Sequence, residues 1–221
     1  MKKLACAMLL LLSPFATAYD SAYSPFYLKF GYGSVDPDIH ELDEYDYEQP
    51  AGYSLMLGYQ ASPFLALEGG YVNLGEITES YIEPYGYGTP GYDYYFEEGV
   101  YESGAGISAS SLAIGVVLST DVYSGFTAGV RFGYHLWDVE ADAYEIDEWT
   151  EYFWNSAIGA YEAYDYGNEA GLSETVDGND PYYGVTLGLG AGNWMFSADY
   201  TVYNMEDTAP ALGSISVGFR F

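Results

Sequence analysis

Positive charge is nearly missing from this sequence, which has five Lys and Arg against thirty-three Asp and Glu. Two of the five, Lys2 and Lys3, sit at the extreme N-terminus, so the rest of the chain keeps only Lys29, Arg131 and Arg220. A protein without a basic surface has no means of neutralising phosphates, and nucleic-acid binding is excluded. Cysteine is almost absent as well. Cys6 is the one thiol, and it lies in an N-terminal apolar run, so the remainder can build neither a disulfide framework nor a Cys-ligated metal site. Histidine is limited to His40 and His135. No apolar stretch beyond residue 18 approaches the ~20 residues that a helix needs to cross a bilayer.

What is present begins with a leader. Lys2 and Lys3 precede the apolar Leu4–Leu12, and Ala16-Thr17-Ala18 has the small-x-small form of a signal peptidase site. Residues 1–18 are expected to be a signal peptide and 19–221 the mature domain. Cys6 does not mark a lipoprotein, because Lys3 stands where that signal takes an apolar residue and the apolar core follows the cysteine. A disordered acidic chain would lack large side chains, whereas this one has 27 Tyr and 11 Phe at regular spacing, alongside 27 Gly.

That spacing is two. Strict alternation marks eight strands, near residues 26–33, 52–60, 64–71, 112–118, 126–136, 182–190, 194–202 and 214–221. One face of each strand carries large apolar residues, as in Phe26, Leu28, Phe30 and Tyr32. The other is rich in Gly and Ser. Lys29, Glu68, Arg131, Asp199 and Arg220 all fall on the small face, and no charge falls on the large one. A water-soluble sandwich would sort these residues the opposite way, so the large face is expected to meet lipid and the small face a narrow lumen.

The ends of the large face are aromatic, as membrane interfaces favour. Tyr32, Tyr53, Tyr71, Tyr134, Tyr183 and Tyr200 would form an outer girdle, and Phe26, Tyr59, Phe64, Phe126, Trp194 and Phe221 an inner one. Short connections (61–63, 119–125, 191–193) alternate with long ones (34–51, 72–111, 137–181, 203–213). The expected fold is therefore all-β: an eight-stranded antiparallel transmembrane up-and-down β-barrel with short periplasmic turns and long external loops.

The leader, the terminal Ser214-Ile215-Ser216-Val217-Gly218-Phe219-Arg220-Phe221 and the Asp180-Pro181-Tyr182-Tyr183-Gly184 entry to the sixth strand resemble OmpA-type small outer-membrane barrels. The resemblance covers the strands, about half the chain, and none of the loops. It implies a bacterial outer-membrane location, and it implies that Phe219 and Phe221 form the signal read by the outer-membrane assembly machinery. The peptidoglycan-binding domain of many relatives is not expected here.

Three groups of residues are candidates for function. Lys29, Arg131 and Arg220 with Glu68 and Asp199 would form a fixed ion-pair network in the lumen, because an unpaired buried charge is costly; a narrow gated pore is the alternative. Twenty-nine acids lie in the long connections, interleaved with Tyr and Gly in runs such as Tyr92-Asp93-Tyr94-Tyr95. Such a surface suits solvation, divalent cations bridging to lipopolysaccharide, or recognition of a host or surface ligand. Asp36, Asp38 and Glu41 are the candidates for weak cation binding, although they lack the Gly and distal Glu of an EF-hand, and no specific metal site follows. His40 falls in the first long connection, and His135 falls on the inward face with no Ser two positions away on its strand, unlike the Ser and His of the lipid-modifying barrels. No catalytic residue, enzymatic activity or cofactor is expected, and the barrel is expected to be a monomer in lipid.

Overall fold

The computed structural model describes residues 25–38, 49–120, 125–206 and 208–221. Residues 1–18, expected to be a signal peptide and including Cys6, and His40 and Glu41 of the first long connection lie outside the described residues. The chain forms β1 (Phe26–Asp36), β2 (Ala51–Ser62), β3 (Leu65–Tyr87), β4 (Tyr95–Ser119), β5 (Phe126–Asn155), β6 (Ala160–Ala191), β7 (Trp194–Tyr203) and β8 (Ala211–Arg220). Each strand pairs with its sequence neighbour, and β1 closes antiparallel on β8, giving a barrel in the order β1 to β8. Closure leaves no unpaired sheet edge, which a strand segment in lipid requires.

The strands run further than their alternation marks. Much of 72–111 and 137–181, read from sequence as connections, is strand: β3 and β4 have 23 and 25 residues, β5 and β6 30 and 32. The reason is compositional. Beyond residue 72 the two faces stop differing in polarity, so the period-two signal fades, while Tyr, Val, Ile and Thr keep the backbone extended. The chain divides into two compact units, one of residues 1–76, 109–139 and 177–221, the other of 77–108 and 140–176.

In the first unit the two faces are sorted as lipid and lumen demand. Leu28, Phe30, Leu55, Leu57, Ile114, Val130, Phe132, Val185, Leu187, Phe196 and Ile215 are exposed. All three bases among the described residues are buried, Lys29 at 6%, Arg131 at 4% and Arg220 at 6% exposure, with Glu68, Asp199, Ser54, Ser214 and Ser216 beside them. In water each half-exposed Leu or Phe would forfeit about 1 kcal/mol. In a bilayer the same face is the favourable one.

In the second unit the ends of β3 and β4 are joined through Gly88 and Gly91, with φ of 84° and 86°, and those of β5 and β6 through Gly159, with φ of 66°. At these turns a side chain would be strained. The two hairpins are fastened by Trp154 N–H donating to the Tyr94 carbonyl at 2.8 Å.

Candidate functional site

Strand register explains how the lumen charges meet. Gly58 on β2 lies opposite Tyr27 on β1 and opposite Glu68 on β3. A Cβ at Gly58 would collide with the Tyr27 ring. Because that Cβ is missing, the ring lies across β2 and its hydroxyl donates to Glu68 at 2.7 Å. On the other side Lys29 pairs with Gly218 of β8, so its chain passes over a strand without a side chain there and reaches Asp199 on β7 at 3.5 Å.

Four charges then form a balanced cluster. Lys29 lies 3.6 Å from Glu68 and 3.5 Å from Asp199; Arg131 lies 3.8 Å from Glu68 and 2.8 Å from Asp199. Asp199 is its hub, because Ser197 and Ser216 also donate to it, at 2.8 and 2.6 Å. Two cations against two anions, with hydroxyls on the remaining lone pairs, is what permits ionised groups so far from water. Arg220 faces the same interior, opposite Tyr27 in the register. It lines a cavity of about 80 Å³ with Tyr27, Lys29, Gln60 and Glu68.

Next to this polar layer is an apolar one that sequence reasoning missed. Val35, Met56, Val72, Leu74, Ala113, Trp137, Tyr182, Tyr203, Met205 and Leu212 form one buried cluster. The Tyr203 ring packs on Tyr182 at 5.6 Å and meets the His135 ring at 5.3 Å. His135 Nε2–H donates to the Asn204 carbonyl at 2.9 Å, and Trp137 Nε1–H to Asp180 at 2.9 Å. Tyr182 also lies against Gly115 and Gly133, where a Cβ would displace it. Parity held the signal. Val35, Val72, Trp137, Tyr203 and Leu212 continue the inward positions of their strands by a step or two, into segments assigned to connections.

The girdle residues Tyr32, Tyr53, Tyr134, Tyr183 and Tyr200 are exposed, and Tyr71 packs beside Tyr53 with ring centroids 6.1 Å apart. Phe26, Phe64, Phe126, Trp194 and Phe221 are exposed too, with Phe26 against Tyr59 at 5.2 Å and Trp194 against Phe219 at 5.0 Å. The candidate cation ligands Asp36 and Asp38 have backbone partners. Asp36 accepts from the Asp38 N–H at 3.3 Å, and Asp38 from the Ala209 N–H at 3.2 Å. No group of three or more His, Cys, Asp and Glu able to hold a metal occurs among the described residues.

The second unit has a different chemistry. Its segments 77–108 and 140–176 hold six and ten acids, sixteen aromatic residues, and no Lys, Arg or His. Aromatic rings supply its packing. Phe96 stacks on Tyr152 at 4.3 Å and meets Tyr161 at 5.0 Å, Trp149 stacks on Tyr166 at 5.5 Å, and Phe153 touches both Tyr95 and Tyr164. The straddle seen at Gly58 recurs here. Tyr85 lies over Gly99, and its hydroxyl donates to Asp147 at 2.7 Å; Tyr144 lies over Gly104 and donates to Glu102 at 3.0 Å.

The bond to Asp147 pushes the Tyr85 phenol from 10 up to about 12, with a smaller contribution from burial. The folded value exceeds the unfolded one. The stabilisation from this bond is therefore complete below pH 10 and is lost as pH rises through about 12. Asp147→Asn should return one tyrosine to a titration near pH 10, read by tyrosinate absorbance; an unchanged titration curve would remove the bond.

A closed eight-stranded antiparallel barrel with apolar side chains outside and paired charges inside has the construction of a transmembrane β-barrel. No protein-family model matches the chain, and no curated protein matches it in sequence. Among solved structures it is similar to Ail, the attachment invasion locus protein of Yersinia pestis, at 16% identity over 90% of this chain and 97% of that one, with a TM-score of 0.41. It is also similar to the N-terminal β-barrel domain of Pseudomonas aeruginosa OprF, at 12% identity over 90% and 99%, TM-score 0.42. Neisserial surface protein A gives 12% identity over 91% and 100%, TM-score 0.41.

Proposed function

We propose that this chain is a non-enzymatic protein of the bacterial outer membrane that acts by contact at the cell surface, with residues 77–108 and 140–176 as the contact surface. One observation carries the proposal. These segments are regular strand rich in exposed Tyr and carboxylate and empty of base, a composition suited to recognition rather than to a barrel wall. Tyr87, Tyr92 and Tyr94 are among the most exposed side chains of the protein. Envelope lipid and lipopolysaccharide are then the surroundings of the barrel, and the assembly machinery is the reader of Phe219 and Phe221.

The other functions considered have less behind them. A gated pore would need a wet path, and two successive layers occupy the lumen: the Lys29–Glu68–Arg131–Asp199 cluster and the apolar cluster around Tyr203. Bridging of lipopolysaccharide by divalent cations has acids in plenty but no preformed group of ligands among the described residues. Catalysis would need a base beside a nucleophile, and His135 is instead held by the Asn204 carbonyl and two Tyr rings.

Replacing 77–108 and 140–176 by short turns tests the proposal. Cells displaying either form would be compared for adhesion to amine-bearing, carboxylate-bearing and neutral beads, with heat-modifiable gel migration confirming that both barrels fold. Adhesion to amine beads is expected to fall sharply in the shortened form. Equal adhesion by both forms would overturn the proposal.

A further inference from the structure

A recess of about 310 Å³ in the second unit is lined by Gly91, Tyr92, Asp93, Tyr94, Trp154 and Tyr161. Two of its walls are fixed. The Tyr161 ring is held between Phe96, at 5.0 Å, and Trp154, which it meets nearly edge-on at 5.1 Å and 70°. Its hydroxyl donates to the Asp93 carbonyl at 2.5 Å and accepts the Gly91 N–H at 3.1 Å, so the turn carrying Tyr92 and Tyr94 is tied to β6. The Asp93 carboxylate accepts the Thr89 N–H at 2.7 Å, which aligns the acid within the same turn. Tyr94 is tied in turn to Trp154 through the backbone.

The chemistry of the recess selects its ligand. Aromatic faces present negative quadrupoles, and a cation set against several of them is attracted by each. An anion would meet Asp93 and find no base anywhere in these segments. The Tyr161 hydroxyl is committed to Asp93 and Gly91, and a sugar, which would use the Tyr92 and Tyr94 hydroxyls and the Trp154 indole N–H, is the competitor that the glucoside arm of the test addresses. A bare metal ion would find one carboxylate rather than a set. We propose that this recess binds an organic ammonium ion, quaternary or N-alkylated, against Tyr92, Tyr94, Trp154 and Tyr161, with Asp93 as its counter-charge. The inference rests on the reading of 77–108 and 140–176 as the contact surface and names what that surface takes.

The test uses the full barrel in bilayer discs of phosphatidylglycerol, a lipid without an ammonium group. Choline chloride would be titrated in by saturation-transfer NMR on its methyl protons, against potassium chloride at matched ionic strength and against methyl glucoside. Choline is expected to bind and potassium not to displace it. Tyr94→Ala removes a ring that is 80% exposed and leaves the fold undisturbed, and it should weaken binding roughly three- to tenfold. Trp154→Ala should do the same or more. Phosphatidylcholine vesicles, added as a separate arm, distinguish a lipid headgroup from the free ion as the source. Equal displacement by potassium, preference for the glucoside, or unchanged affinity in Tyr94→Ala would each overturn the inference. If choline fails while the shortened form still loses bead adhesion, the contact surface stands and only its ligand is wrong.

Discussion

Replacing Asp199 by Ala should destabilise the barrel by about 3–5 kcal/mol, the cost of removing one member of a buried charge cluster. The substitution leaves Lys29 and Arg131 sharing Glu68 alone, with Ser197 and Ser216 deprived of their acceptor. Those cations are 6% and 4% exposed and cannot turn to water. The loss should appear in urea unfolding from phospholipid vesicles, followed by tryptophan fluorescence. Charge imbalance can be separated from lost packing by restoring neutrality: Asp199→Asn combined with Lys29→Met leaves one Arg131–Glu68 pair and should recover more than half of the loss. A cost within about 1 kcal/mol for Asp199→Ala would mean that water reaches the cluster, contrary to its burial.

The parts of this protein legible in its sequence are those where one physical contrast repeats. Lipid outside and a cramped lumen inside force opposite residue types onto alternate positions, so Leu28 against Lys29, or Phe132 against Arg131, suffices to orient a strand. Lys29, Glu68, Arg131 and Asp199 could be grouped from parity alone. Which of them touch could not, because contact depends on inter-strand register. It is Gly58 between Tyr27 and Glu68, and Gly218 beside Lys29, that let side chains cross a neighbouring strand. Tyr27 was missed for this reason: taken alone it is one more aromatic on a small-residue face. The second unit hid for the converse reason. With Tyr and carboxylate on both faces, Tyr95 and Glu97 on one and Phe96 and Glu98 on the other, its strands carry no polarity contrast, and aromatic runs resemble loops. Glycines there read as turn formers, yet Gly99 and Gly104 are mid-strand positions that receive Tyr85 and Tyr144.

Truncating Tyr203 to Ala should also cost about 3–5 kcal/mol, the usual range for deleting a buried aromatic ring. Tyr203 is 1% exposed and packs on both Tyr182 and His135, so its removal empties the centre of the apolar layer. Tyr203→Phe keeps both ring contacts and should cost far less, which distinguishes the packing of the ring from any contribution of its hydroxyl. The same pair of variants bears on conduction. The ring space vacated in Tyr203→Ala is large enough for water, but Lys29, Arg131, Glu68 and Asp199 still occupy the lumen as a bonded layer. Planar-bilayer recordings should therefore show no current steps for the wild type, for Tyr203→Phe or for Tyr203→Ala. Steps in Tyr203→Ala alone would show that the apolar layer is the sole gate and the charge cluster an open filter. Steps in the wild type would put the pore ahead of surface contact. Silence in all three leaves the lumen as the support that holds the strands in register, and function with the acidic, Tyr-rich strands of 77–108 and 140–176.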